Sequence, residues 1–270
     1  MSFDASFYKN HKYRLNKKTL KIPTSIPTIV HIHIHYTNNH PQLSIRLLRK
    51  YLTQLLMFFE KLGKMKGTVN IEYYECDQKK YLPKQDVNLS IEHINSGYCY
   101  IYSSENTTNI VIYRTEEFYK VLCHELIHLY HIIPFETNLE SKFSKLFKPF
   151  RVNLNEALVE LNALYINTAI YSLLHKKDFI QCLKDEYIHS IHLSKRYLNL
   201  METDWDGVIK NTCEKIDTTN AFSYIILKTF FFIRIFKDDL TILNETNQKE
   251  CFGYFTMTKN DVTKSFKDLI

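Results

Sequence analysis

Residues 109–133 read NIVIYRTEEFYKVLCHELIHLYHII. The first five, Asn109 to Tyr113, form a short β-branched run of strand character. From Thr115 the apolar positions become Phe118, Val121, Leu122, Leu126, Leu129 and Ile133, the 3.6-residue period of a helix. Thr115 is placed to cap that helix, with Glu116 and Glu117 suited to its positive end, and Pro134 stops it. The chain therefore changes here from strand to helix.

Working upstream, TIVHIHIHY (28–36) alternates Val30, Ile32, Ile34 and Tyr36 with His31, His33 and His35, which is strand periodicity. Residues 43–62 carry Leu, Ile, Met and Phe at helical spacing, Gly67 breaks that pattern, and VNIEYYEC (69–76) reads as a second strand. The run NSGYCYIY, with its strand at 98–102, and the strand 109–113 follow, joined by a turn at 106–108. Downstream, the pattern is helical at 155–174, 178–200, 205–216, 219–236 and 261–270. A Lys- and Phe-rich connection precedes the first of these. Strands with a helix first, then helices only, predict an α+β fold: a small mixed sheet plus helices in an N-terminal lobe, and a mostly helical C-terminal lobe. The divisions expected are a basic N-terminal segment (1–27), an α/β lobe (28–133) and a helical lobe (134–270).

The composition agrees. With 270 residues and a mass of 32.3 kDa the chain can bury a sizeable core. Only 5 Gly and 6 Pro argue against a turn-rich all-β protein. Abundant Ile, Lys, Asn, Tyr and Phe fit an A/T-rich genome such as that of a large DNA virus, a protist or a low-GC bacterium. The most apolar stretch, AFSYIILKTFFFIRIF (221–236), is short for a bilayer span and contains Lys228 and Arg234, so it reads as a buried core helix. The first residues show no apolar signal core, and the six cysteines form no CxxC pair; both point to reduced thiols and a cytoplasmic or virion-associated protein. The net charge of +6 permits an acidic partner without requiring one.

The chemistry concentrates at His124-Glu125-Leu126-Ile127-His128, an H-E-x-x-H pentapeptide. Residues i and i+4 share a helix face, so both imidazoles can reach one metal ion. Glu125 is turned about 100° around the helix from His124 and can reach a water on that metal. With 12 His and about 17 Glu in the chain, chance supplies roughly 0.03 such pentapeptides. A metal with an open position needs a third protein ligand. Asn155-Glu156-Ala157-Leu158-Val159-Glu160 offers two carboxylates on one helix face. One can bind metal while the other receives the distal N–H of a ligand His.

This pairing of His124-Glu125-x-x-His128 with Asn155-Glu156-x-x-x-Glu160 resembles the zincin metallopeptidases, and within them the gluzincin branch typified by thermolysin. The strand–helix–strand start and an edge strand before the HExxH helix are similar to the zincin order over about residues 28–174. The resemblance implies one catalytic Zn2+ held by His124, His128 and Glu156, with Glu125 as general base and Glu160 supporting a ligand His. It implies a peptide or protein substrate, lying along an edge strand at Gly97, Tyr98, Cys99 and Tyr100. It also implies an oxyanion donor downstream, for which Tyr224, His189 and His192 are candidates. The interval from His128 to Glu156 is longer than in thermolysin. The metzincin form is absent, since His131 and Pro134 occupy the positions after His128 and no third His completes it.

Two other readings stand beside this one. The first is a catalytically inactive zincin-fold protein with a structural or virion-associated role, against which the intact Glu125 argues. The second is a nucleic-acid-associated protein using Lys9, Lys12, Arg14, Lys17, Lys18 and Lys21. His31, His33 and His35 read as a polar strand face that has the His-x-His spacing for chelation. Cys123 reads as a small core residue.

Overall fold

A computed structural model describes residues 16–22, 29–36, 41, 43–61, 67–75, 79–84, 88–102, 107–130 and 137–237. They fall into two compact units, divided at Lys79/Lys80, Asn95/Ser96 and Glu125/Leu126.

The first unit is built on a five-stranded mixed sheet. In chain order it contains β1 (Asn16–Ile22), β2 (Ile29–Tyr36), helix α1 (Ile45–Lys61) and β3 (Thr68–Tyr74). The second unit's short α2 (Ile91–Ile94) intervenes before β4 (Gly97–Tyr102) and β5 (Thr107–Ile112). The strand order is β1-β2-β3-β5-β4. Strands β2, β3 and β5 run parallel, while β1 and β4 run antiparallel at the two edges.

Alternation fixes the register. Val30, Ile32 and Ile34 of β2, Val69, Ile71 and Tyr73 of β3, and Ile110 and Ile112 of β5 are all buried on one face. Against them lie Leu48, Leu52, Leu55 and Phe59 of α1, whose apolar side repeats at helical spacing. Helix α3 (Phe118–Leu129) begins on the same face: Tyr73 meets Phe118 with ring centroids 4.4 Å apart. Tyr51 of α1 lies 4.3 Å from the Tyr119 ring, and its hydroxyl is 3.0 Å from Cys123 Sγ. Cys123 is thus a core residue, fully buried, and burial pushes its thiol up to about 12.

The opposite sheet face is polar. Across it the pairs His31 with Asn70, His33 with Glu72 and His35 with Tyr74 stand side by side, as the alternation in β2 requires.

Three local expectations are corrected. Residues 16–22, read only as part of a basic segment, form an edge strand; Leu20 and Ile22 point into the core while Lys17, Lys18 and Lys21 remain exposed. Lysines on an edge strand also discourage pairing with another chain. Thr115 does not cap α3. The helix starts at Phe118, whose N–H donates to the Thr115 carbonyl at 3.3 Å, and the Thr115 hydroxyl instead receives the Tyr73 O–H at 3.0 Å. Thr107 and Thr108, expected partly in a turn, belong to β5. The rest of that turn, along with His131, Pro134 and the helix expected at 261–270, lies outside the described residues.

The second unit is helical apart from one isolated bridge between Phe150 and Asp217. After α2 and the end of α3 it contains α4 (Thr137–Leu146), α5 (Leu154–His175), α6 (Phe179–Leu200), α7 (Trp205–Lys210), a π-helical stretch Ser223–Leu227 and α8 (Lys228–Lys237). Helix α4 falls where a connection was expected. Helix α7 stops at Lys210, short of the expected residue 216, because Asn211 adopts the left-handed conformation (φ 56°) and closes the helix with its N–H. The helix expected over 219–236 is present as an uninterrupted helical run over 221–237 that includes the π-helical stretch and α8.

The core of this unit is aromatic. Phe150 stacks on Phe222 at 4.4 Å, and Phe147 lies 5.2 Å from Phe222 and 6.4 Å from Trp205. Helix α5 is the one described helix long and apolar enough to cross a membrane, and most of its apolar window is buried inside the protein. It is the central helix of this core, with Leu154, Ala157, Leu158, Leu161, Leu164 and Tyr165 all buried.

Candidate metal centre

Helix α3 carries His124 and His128 one turn apart on one face. His124 is buried and His128 half-buried. The third residue comes from the first turn of α5. Asn153 caps that helix, its side-chain oxygen accepting the Glu156 N–H at 3.1 Å. Asn153 is itself held in place, its N–H donating to Ser223 Oγ at 2.8 Å. The adjacent Leu154 N–H donates to Glu140 Oε2 at 3.2 Å. Thus α4, the start of α5 and the π-helical stretch together fix where Glu156 projects.

The outcome is a cluster in which one ligating atom each from His124, His128 and Glu156 all lie within 4.8 Å of one another. His128 Nε2 is 3.3 Å from Glu156 Oε2. Two imidazoles and a carboxylate suit a divalent ion bound at about 2.0–2.2 Å with a fourth position open. Ligand atoms on such an ion stand roughly 3.3–3.5 Å apart, so His128 and Glu156 already have that spacing. The group can hold a metal ion.

Glu125 follows His124 on α3 and is 7% exposed. Glu125 acts electrostatically on Tyr113, which sequence reasoning passed over. Burial raises the Tyr113 hydroxyl well above its ordinary value; Arg114 pulls it down, while Glu125 and Tyr98 push it further up. Tyr113 thus lies within electrostatic reach of both Glu125 and the edge strand. Its position at the junction of strand and helix was the available signal.

Strand β4 is an edge strand, as expected of Gly97, Tyr98, Cys99 and Tyr100. Gly97 is required by packing: a Cβ there would stand 2.8 Å from both the Val111 carbonyl oxygen and Val121 Cγ1. Tyr98 and Tyr100 lie 6.0 Å apart in a stacked arrangement. Glu160 is one turn beyond Glu156 on α5, half-buried. Tyr224 stands in the π-helical stretch, half-buried against the aromatic core. His189 and His192 are exposed on α6.

The chain matches no protein-family model, and no curated protein or solved structure is significantly similar to it.

Proposed function

We propose that this protein is a zinc-dependent peptidase of the zincin type. The observation that carries the reading is the convergence of His124, His128 and Glu156. The HExxH spacing puts a carboxylate, Glu125, immediately beside that cluster. Support also comes from the order of elements: β2, α1 and β3 make a strand–helix–strand start, and an antiparallel edge strand precedes the HExxH helix.

A zinc ion bound by these three residues would polarise the scissile carbonyl and make a bound water acidic near neutral pH. Glu125 then takes the proton from the attacking water and passes it to the leaving amine. Its burial keeps bulk water from competing for that proton. An extended substrate pairs with the edge strand β4 at Gly97 to Tyr100, by strand addition. Tyr224 is retained as the candidate oxyanion donor, and Glu160 as the group that orients a ligand imidazole.

The test is metal content by elemental mass spectrometry together with cleavage of a peptide library. Wild type and Glu125→Gln should each hold zinc at this centre, with cleavage only by wild type. Glu156→Ala should lose both. Wild type that holds no zinc after incubation with it would overturn the proposal.

A further inference from the structure

The polar face of the sheet is a surface of planar rings edged with lysine. Helices α1 and α3 pack on the opposite face, so the side chains that alternate with the buried ones point away from that core. Cross-strand register sets them in rows. One row runs Lys21, His31, Asn70, Asn109 and Tyr100 across all five strands. Tyr98 ends the neighbouring row, and a third row joins Lys17, His35 and Tyr74.

The rings suit unpaired bases. His35 lies flat against Tyr74, with centroids 4.3 Å apart and an interplanar angle of 8°. Tyr98 and Tyr100 form the stacked pair on β4, and Tyr100 is 38% exposed. Aromatic side chains on a sheet face are the platforms on which proteins stack the bases of single strands.

Charge selects the class of partner. Lys17, Lys18 and Lys21 are exposed on β1, and the sequence leading into that strand carries Lys9, Lys12 and Arg14. Glu72 is the only carboxylate in the five strands. It is already countered: Oε2 accepts from His35 Nε2–H at 2.6 Å, and Lys17 Nζ stands 4.0 Å from Oε1. A phosphate chain therefore meets positive charge at the β1 edge.

The polar groups between the edges favour ribose. Asn70 Nδ2–H donates to Asn109 Oδ1 at 3.2 Å, and Thr19 Oγ1 is 3.0 Å from His33 Nδ1. Such amides and hydroxyls match a 2′-hydroxyl, which both donates and accepts. The outer strands of a five-stranded sheet lie about 19 Å apart, room for about five nucleotides stacked at about 3.4 Å.

We propose that this sheet face binds single-stranded RNA. The strand crosses from β1, where Lys17 and Lys21 meet phosphates, to β4, where bases stack on Tyr98 and Tyr100. The site uses none of the residues of the His124–His128–Glu156 cluster, and the inference does not depend on peptidase activity.

The experiment is fluorescence anisotropy of a labelled 12-nucleotide oligouridylate titrated with the full chain at several salt concentrations. The variants are Tyr100→Leu, Tyr100→Phe and Lys17→Gln/Lys21→Gln, each checked for folding by its melting curve. Tyr100→Leu should weaken binding about 5–100-fold, the range for one lost base stack, while Tyr100→Phe keeps it. The lysine variant should reduce the slope of log affinity against log salt by about 1.4, as for two lost phosphate contacts. An RNA duplex of the same length should bind at least about tenfold more weakly, because its bases are not available to stack. Wild type that does not bind the oligonucleotide at low salt overturns the inference. So does a Tyr100→Leu variant that binds as wild type, or a duplex bound as tightly as the single strand, since the lysines would then act without the rings. Equal affinity for the deoxy oligonucleotide overturns the choice of RNA.

Discussion

His128 Nε2 and Glu156 Oε2 stand 3.3 Å apart although 28 residues separate them in the chain. Each comes from a different helix, and each is positioned by its own helix rather than by the other. Partly exposed pairs of this kind contribute only about 0–1 kcal/mol by themselves. Their close approach therefore matters more for what they can bind jointly than for the stability of the metal-free protein.

That difference can be measured by melting. In chelator, Glu156→Ala should melt close to wild type. With metal at about 100 times its dissociation constant, wild type gains about 2.7 kcal/mol by mass action and its melting temperature rises by several degrees. Glu156→Ala should gain much less. Equal metal-induced shifts in the two proteins would show that Glu156 is not a ligand.

Glu125 makes a complementary prediction. Glu125→Gln preserves shape but cannot accept a proton. The expected result is unchanged zinc content at the His124–His128–Glu156 cluster with cleavage slower by about 10²–10⁴-fold, the usual contribution of a positioned acid–base group. Loss of that zinc in this variant would instead make Glu125 a ligand.

Asn153 acts on the site through Glu156. Asn153→Ala removes the cap and should cost about 1 kcal/mol in stability, read from urea unfolding. It should also weaken zinc binding several-fold, because the first turn of α5 carries the ligand. Asn153→Asp, which can still accept the Glu156 N–H, should restore both. If Asn153→Ala destabilises the protein while leaving zinc affinity unchanged, the cap does not position the ligand.

The helical unit depends on Asp217. Its two carboxylate oxygens accept from Tyr197 Oη at 2.6 Å, Thr219 Oγ1 at 2.6 Å, Thr219 N at 2.7 Å and Phe222 N at 3.3 Å. The backbone of Asp217 also bonds Pro149 and Arg151. Buried groups left without partners cost about 1–3 kcal/mol each. Asp217→Ala should therefore lower unfolding free energy by more than 3 kcal/mol, and Tyr197→Phe by less. Comparable small losses in both would mean the network is not the fastening it resembles.

Much of this was legible in the sequence because periodicity is local. The alternation in residues 28–36 located β2 and its polar histidine face, and the period change at Thr115 located α3. The segment 16–22 was not legible, since Leu20 and Ile22 are its only apolar partners for the core and the lysines around them read as a solvated arm. The π-helical turn inside the last helix was equally hidden. Ser223 accepts the Asn153 N–H from a distant turn, and no local pattern announces a tertiary bond. For the site, i and i+4 spacing revealed the two histidines. The approach of Glu156 depended on how α4 and the π-helical stretch hold the start of α5.

The last prediction concerns pH and Cys123. Burial is the main cause of the thiol's rise to about 12 from an ordinary value of 9.0. In the unfolded chain the same thiol ionises near its ordinary value. Between those limits the folded protein holds a proton that the unfolded chain has released, so the contribution is intact below about pH 9 and declines as pH rises towards 12. One such group changes stability by about 1.4 kcal/mol per pH unit within the window. Tyr119 and Tyr130, also pushed up to about 12 by burial, act in the same direction from a higher starting point. Wild type should thus lose stability steeply above pH 9 in urea titrations. Cys123→Ala should show a shallower slope between pH 9 and 10, where the thiol dominates. Parallel slopes for the two proteins there would mean that Cys123 is ionised or exposed in the folded state. Alkylation by iodoacetamide at pH 8 offers an independent check: the Cys123 thiol should react only after denaturant is added.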